Sequence, residues 1–268
     1  MKRLLLVSVP LLVLSACITK KKIGIVQADS DQLSQPVIKV AAYFFEEETE
    51  INVNKAQSPA VVRYESGGTS PTPESPVADG PIKIKESTTL RFQSMGGDFL
   101  PSREVTIEVL KLRPERVMLS AASLASPPYA NVPQAALTDR QKASKDFRNA
   151  NWLGYQKKPV AFLLSFPEVR VNGVTLSVLE DQGSWIFAPS TLKAAFYNTA
   201  GLEVGMATKR YLPEVQKSGS HYRFLTVITP QLRAASIKLE VENLSAIPGW
   251  HQGAGSPPWV FVDEVLLR

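Results

Sequence analysis

Polar and apolar positions alternate along much of the chain, in short runs. Thr49-Glu50-Ile51-Asn52-Val53-Asn54 alternates residue by residue, and Arg103 to Val109 sets Val105, Ile107 and Val109 on one face. Side chains of a strand point to opposite faces in turn, so this period of two predicts strands with one buried face. Further runs of the same kind are 37–45, 60–64, 82–92, 160–166, 169–179, 191–197, 221–228, 237–241 and 259–267. Gly, Pro, Asn and Ser separate them, with 15 glycines and 20 prolines in 268 residues. Long runs of helical period are scarce. Many short strands with turn residues between them predict an all-β chain built from sandwiches, and the strand–helix alternation of a parallel barrel is missing. The small-residue stretch from Ala121 to Tyr129 suits an entering loop. The expected organisation is a small β-sandwich over 36–112 and a larger one over 113–268.

The N-terminus departs from this pattern. Lys2 and Arg3 precede an apolar run, Leu4 to Leu14, which closes in Leu14-Ser15-Ala16-Cys17. That order of basic, apolar and small residues describes a secretory signal over 1–16. With cysteine directly after the small residues it resembles a bacterial lipobox, which implies cleavage before Cys17, a lipid on its sulfur and a flexible tether over 17–35. Cys17 is the only cysteine, so no disulfide forms within the chain. The apolar run is short for a membrane span, which makes the expected state anchored rather than spanning. The missing Asp after Cys17 resembles sorting to the outer membrane of a Gram-negative envelope; the side of that membrane stays open.

Cleavage also changes the charge. Removing Lys2 and Arg3 lowers the net +5 by two, and Lys20, Lys21 and Lys22 supply what remains. The globular part is close to neutral and holds no excess for a basic face, so a nucleic-acid partner is not expected. The lysine triplet is expected beside anionic lipid.

Two resemblances then cover 37–268. In 61–109, Tyr64, Gly67-Gly68, Pro71-Thr72, Pro81-Ile82, Thr88-Thr89-Leu90 and Pro101-Ser102 fall in the order of the small sandwich that follows the catalytic barrel of chitobiase/β-hexosaminidase-type enzymes, Ig- or Fn3-like in fold. The segments ALTDRQKASKDFRNANWLGYQ (136–156), LEDQGSWIFAP (179–189) and PGWHQGAGSPPWVFVDEVLL (248–267) resemble the discoidin-like jelly-roll sandwich at the C-terminus of bacteroidete-type β-hexosaminidases. The sequence departs from that second pattern at Arg140, where the Leu-Thr-Asp turn normally continues with Gly, and at 198–201. The barrel that these modules normally follow is absent here. The resemblance is to the accessory half of an enzyme.

Three readings of the C-terminal stretch stand beside each other. Asp263-Glu264 as a catalytic pair requires convergent carboxylates, and adjacent strand positions face opposite sides unless a bulge intervenes. By resemblance, a structural Ca²⁺ would be held between Asp139 and Glu264 with backbone carbonyls; the alternative is Asp139 capping its own turn and Glu264 pairing with Arg140. No other cofactor is called for. Trp250 and His251 lie on a Gly/Pro-rich loop, and Trp152 and Tyr155 flank Gly154 in another loop; such aromatics can present faces to sugar rings, and the alternative for Trp250 and Trp152 is packing against the sheet. Trp185 and Trp259 sit in apolar runs and are expected in the core. The function expected is that of a non-catalytic, lipid-anchored envelope protein binding carbohydrate, with amino-sugar glycans implied by the resemblance. The alternative is an adaptor that docks an envelope enzyme or transporter, and a glycoside hydrolase is the least supported reading.

Overall fold

The computed structural model describes residues 32–54, 58–148, 151–156, 159–212 and 218–268. The signal segment, Cys17 and most of the tether lie outside the described residues.

The first sandwich packs two sheets. One joins β1 (Ile38–Val40), β3 (Thr49–Val53) and β5 (Ile82–Ile84), all antiparallel. The other runs β2 (Phe44–Phe45), β7 (Val105–Lys111), β6 (Thr88–Met95) and β4 (Val61–Ser66), with β2 parallel to β7. The run 37–45 is thus two strands, one in each sheet, and 82–92 divides likewise between β5 and β6. Phe45, Ile51, Val62, Leu90, Phe92, Ile107 and Val109 fill the space between the sheets. The tether is shorter than expected: Leu33 N donates to Leu100 O, and the Gln32 and Gln35 amides donate to Pro101 O and Glu104 O. Those last residues therefore lie along the sandwich.

The second sandwich is organised by two long strands, β10 (Val160–Glu180) and β13 (His221–Glu242), paired antiparallel along their length. Sequence reading divided each in two, at Pro167 and near Pro230. Proline removes a ladder donor, so in a strand it sits at an edge or a bulge. Here the register shifts at 165–169 and 171–173, and both strands bend without ending. At the bend Gly173 lets the backbones close up; a Cβ there would lie 2.2 Å from Val227 O. Bending lets one pair serve both layers. The first half of β10 lies between β13 and β8 (Met118–Ala122), and β11 (Thr191–Tyr197) and β12 (Glu203–Arg210) continue beyond β13. The second half lies between β13 and β14 (Trp259–Leu267), which pairs onward with β9 (Leu153–Gln156). Phe162, Leu164, Leu176, Val178, Leu192, Phe196, Leu239 and Val262 are among the side chains sealed between the layers.

An apolar seam joins the two sandwiches. Phe44, Leu110 and Leu266 are buried together with Tyr43, Leu112 and Phe224 beside them, and the Tyr43 and Tyr222 rings meet edge to face at 5.0 Å. Arg140 clamps one end. Its guanidinium donates to Glu46 at 2.8 Å, to Arg113 O at 2.9 Å and to Glu115 O at 2.7 Å. Its backbone φ is +68°, so it adopts the left-handed conformation of the glycine expected at this turn.

Candidate functional site

Two groups of side chains hold the residues singled out by sequence. One is a buried acidic cluster. A register shift in the pairing of β14 with β10 falls at Asp263: Ser177 pairs with Glu264 and Val178 with Val262. The bulge turns both carboxylates towards the 139–143 loop and corrects the expectation that they diverge. Asp263 Oδ2 accepts from Lys142 Nζ at 2.6 Å and Ala143 N at 2.9 Å; Glu264 Oε2 accepts from Arg140 N at 2.9 Å. Lys142 Nζ also lies over the Tyr222 and Trp152 rings, 3.8 and 4.2 Å from their centroids. Burial lowers the Lys142 pKa to about 8 although Asp263 opposes the shift. Burial, with Asp139 and Asp263 beside it, pushes the Glu264 carboxyl up to about 10.

This convergence does not make a hydrolytic pair. Asp263 and Glu264 are 1% and 0% exposed, and no substrate bond reaches them. Ca²⁺ takes six to eight oxygens, and the chain itself engages part of this cluster, although Glu264 Oε1 and Asp263 Oδ1 have no hydrogen-bond partner. Asp139 and Glu264 are brought together, but Glu264 Oε2 is taken by Arg140 N, and Asp139 Oδ1 caps its own turn by accepting from Gln141 N at 2.8 Å. The carbonyls of Arg113 and Glu115, beside the same small cavity, are taken by the Arg140 guanidinium. Among the described residues no group of three or more His, Cys, Asp or Glu is placed to hold a metal.

The other group is a surface groove. Trp250 and His251 lie on the loop between β13 and β14, which is tied by its own backbone: His251 N to Pro248 O, Ala254 N to His251 O, Gly255 N to Ile247 O, Ile247 N to Ser256 O. Ile247 is buried beneath it. The ring of His251 packs edge-on to the buried Phe187 at 5.6 Å, and Trp250 tilts against the same ring at 6.3 Å. His251 Nδ1 accepts from Gly253 N at 3.0 Å, which leaves Nε2 as the ring's donor. Trp250 stays 42% exposed. Gln182, Gly183, Ser218, Gly219 and Gln252 line the groove with these two. Behind it the Arg223–Glu180 ion pair is largely buried, and Asp181 accepts from Ser220 and Ser184.

Trp152 and Tyr155 do not join this groove. Both are 2% exposed; the Trp152 Nε1 donates to Ser144 O at 2.8 Å, and burial raises the Tyr155 phenol well above its usual range. Gly154 between them is strand, packed so closely on Tyr129 that a Cβ would lie 2.7 Å from it. Trp185 reverses its expectation in the other direction, being 38% exposed. SWIF reads as a strand, but residues 182–184 form a 3₁₀ turn and Trp185 ends it at φ +64°. The preceding Gly-Ser is the one local signal of that turn. Trp259 is half-buried against the core, near its expected place.

Residues 40–106 match the chitobiase/β-hexosaminidase C-terminal domain family. The matched stretch spans most of the first sandwich. No curated protein matches the chain. Solved structures with slight likeness include the C-terminal domain of a chitobiase from Bacteroides fragilis, 13% identical, covering 57% of this chain and 93% of that one at TM-score 0.34. A chitosan-binding module from a Paenibacillus chitosanase/glucanase is 13% identical over 56% of this chain and 96% of its own, at TM-score 0.33. A Ruminococcus gnavus fucosidase is 12% identical over 55% of this chain at TM-score 0.31, and the likeness spans only 24% of that enzyme. The sandwich architecture is read from the sheets themselves.

Proposed function

We propose that this is a carbohydrate-binding protein without catalytic activity, held by a lipid on Cys17 to the envelope of a Gram-negative bacterium, at its outer membrane, and that the groove at Trp250 takes an amino-sugar glycan. One observation carries the reading: an indole left 42% exposed on a loop that its own hydrogen bonds hold rigid. A half-exposed aromatic costs solvation unless something covers it, and the apolar face of a pyranose suits it. Next to it stand amide, hydroxyl and imidazole groups that can meet sugar hydroxyls and an acetamide. The groove is shallow, so single-site affinity is low, and display of many copies on a membrane supplies avidity. The sorting rests on the lipobox resemblance, and the sugar class on the family match of the first sandwich.

The test is a glycan array with soluble residues 23–268, including chitin oligosaccharides and peptidoglycan fragments, and Trp250→Ala in parallel. Binding lost in a Trp250→Ala variant that still melts cooperatively is the expected result. Absence of binding across the array would overturn the reading. A docking role would then take its place, through the exposed Leu202, Val204 and Met206 at the β12 edge. For Cys17, globomycin treatment should cause unprocessed chain to accumulate, and unchanged processing would refute lipidation.

A further inference from the structure

A second indole borders the same loop. Trp185 lies over Gly253: a Cβ on that glycine would fall 2.8 Å from Trp185 Cε2 and 3.2 Å from Nε1. The absence of a side chain at 253 is what lets the indole lie down on the loop. Trp185 follows directly on Gln182-Gly183-Ser184, whose first two residues line the groove, so it stands where that wall ends.

Its backbone is unusual for its size. At φ +64° and ψ +22° a large side chain occupies the left-handed region, which is costly for any residue but glycine and rarely taken by a bulky one. Three backbone hydrogen bonds hold it there: Trp185 N to Gln182 O, Trp259 N to Trp185 O and Ile186 N to Asp181 O. That effort does not bury the ring, which remains 38% exposed. Full burial is therefore not what the strain achieves, and it leaves part of the ring presented to solvent.

Trp250 and Gly253 are three residues apart, so their Cα atoms are separated by at most about 11 Å. The turn closed by Ala254 N and His251 O makes the true span shorter. One short sugar chain can reach both rings. Among the described residues lining the groove there is no carboxylate, lysine or arginine.

Building on the glycan reading above, we propose that Trp185 is a second sugar platform, so that this face takes a neutral oligosaccharide of two or more rings rather than a single terminal sugar. Calorimetric titration with N-acetylglucosamine and its β-1,4-linked dimer and tetramer tests this. The native chain should bind the tetramer at least tenfold more tightly than the monomer. Trp185→Gly, which removes the ring and suits the backbone, should bring the tetramer down to the monomer's level while leaving the monomer unchanged. Trp185→Phe should recover part of the gain, and Trp250→Ala should lose both ligands. Equal affinity for monomer and tetramer, or a Trp185→Gly variant that keeps the gain, would overturn the second platform and leave the glycan reading standing. No binding of any of the three would overturn both. In the native chain the Trp185 indole N–H resonance, assigned by its loss in Trp185→Phe, should move with tetramer and stay fixed with monomer. A fixed resonance with saturating tetramer refutes the proposal without reliance on any variant's folding.

Discussion

Replacement of Glu264 by Gln should stabilise this protein, and increasingly so as pH rises. Glu264 is fully buried, Oε1 has no hydrogen-bond partner and Asp139 and Asp263 stand beside it. Its carboxyl titrates near 4.5 in a solvated chain and near 10 in the fold. Between those values the folded chain holds the extra proton, so the stabilisation is complete below about pH 4.5 and is lost as pH rises towards 10. The ideal slope is about 1.4 kcal/mol per pH unit. From pH 5 to 8 that amounts to at most about 4 kcal/mol, and coupling to Asp263 spreads the titration, so a relative loss of about 2 kcal/mol is expected. Lys142, whose pKa falls to about 8, contributes the opposite slope only above that pH. Gln keeps an acceptor for Arg140 N and an amide that can donate towards Asp139. The assay is urea unfolding of both proteins from pH 5 to 8 in EDTA, and the quantity of interest is the change in their difference. A difference constant with pH, or a variant less stable than the native chain at pH 8, would mean that Glu264 is ionised and compensated, and the argument would fail.

Three further outcomes follow from the same geometry. Lys142→Met should cost roughly 3–5 kcal/mol in urea unfolding at pH 7, because it leaves Asp263 buried without its cation; a loss below about 1 kcal/mol would show that Asp263 is already neutral. Saturating Ca²⁺ should move the melting temperature of the native chain by less than about 1 °C, since ligand binding to the fold alone would raise it by mass action; a clear rise would return a cation to Asp139 and Glu264. Arg140→Gly should relax the left-handed backbone yet release the clamp on Glu46 and on the carbonyls of Arg113 and Glu115, so limited proteolysis should cut faster at 112–117. Unchanged cleavage would assign the cohesion of the sandwiches to the apolar seam alone.

The alternation of polar and apolar residues reveals the strands because burial of one sheet face imposes it directly. It fails where pairing, rather than composition, decides. Pro167 and Pro230 punctuate the sequence, yet the bulges absorb them and each long strand continues. The extra residue at Asp263 belongs to the register between β14 and β10, and a register is not written in either strand alone, so the convergence of the two carboxylates was hidden. Trp185 and Trp152 exchange their expected places for a related reason. An apolar run suggested core for the first, and a glycine neighbour suggested a loop for the second. The 3₁₀ turn after Asp181 and the close packing of Gly154 on Tyr129 depend on partners far away in the chain. Trp250 and His251 were legible because Gly and Pro on both sides keep their loop out of the sheets, and a tryptophan kept out of a sheet is conspicuous.

The pairing of β10 with β13 has a consequence for how the larger sandwich is made. Val160 meets Val241 at one end of the ladder and Glu180 meets His221 at the other, so even its nearest rungs wait for the whole β11–β12 excursion to be threaded between them. Closing so large a loop comes before any contact can repay it, which places this sandwich among slow-folding topologies. Because both layers hang on that one ladder, neither can open alone. The amides of β10 and β13 near the bend should then be the last to exchange with deuterium, and they should do so together.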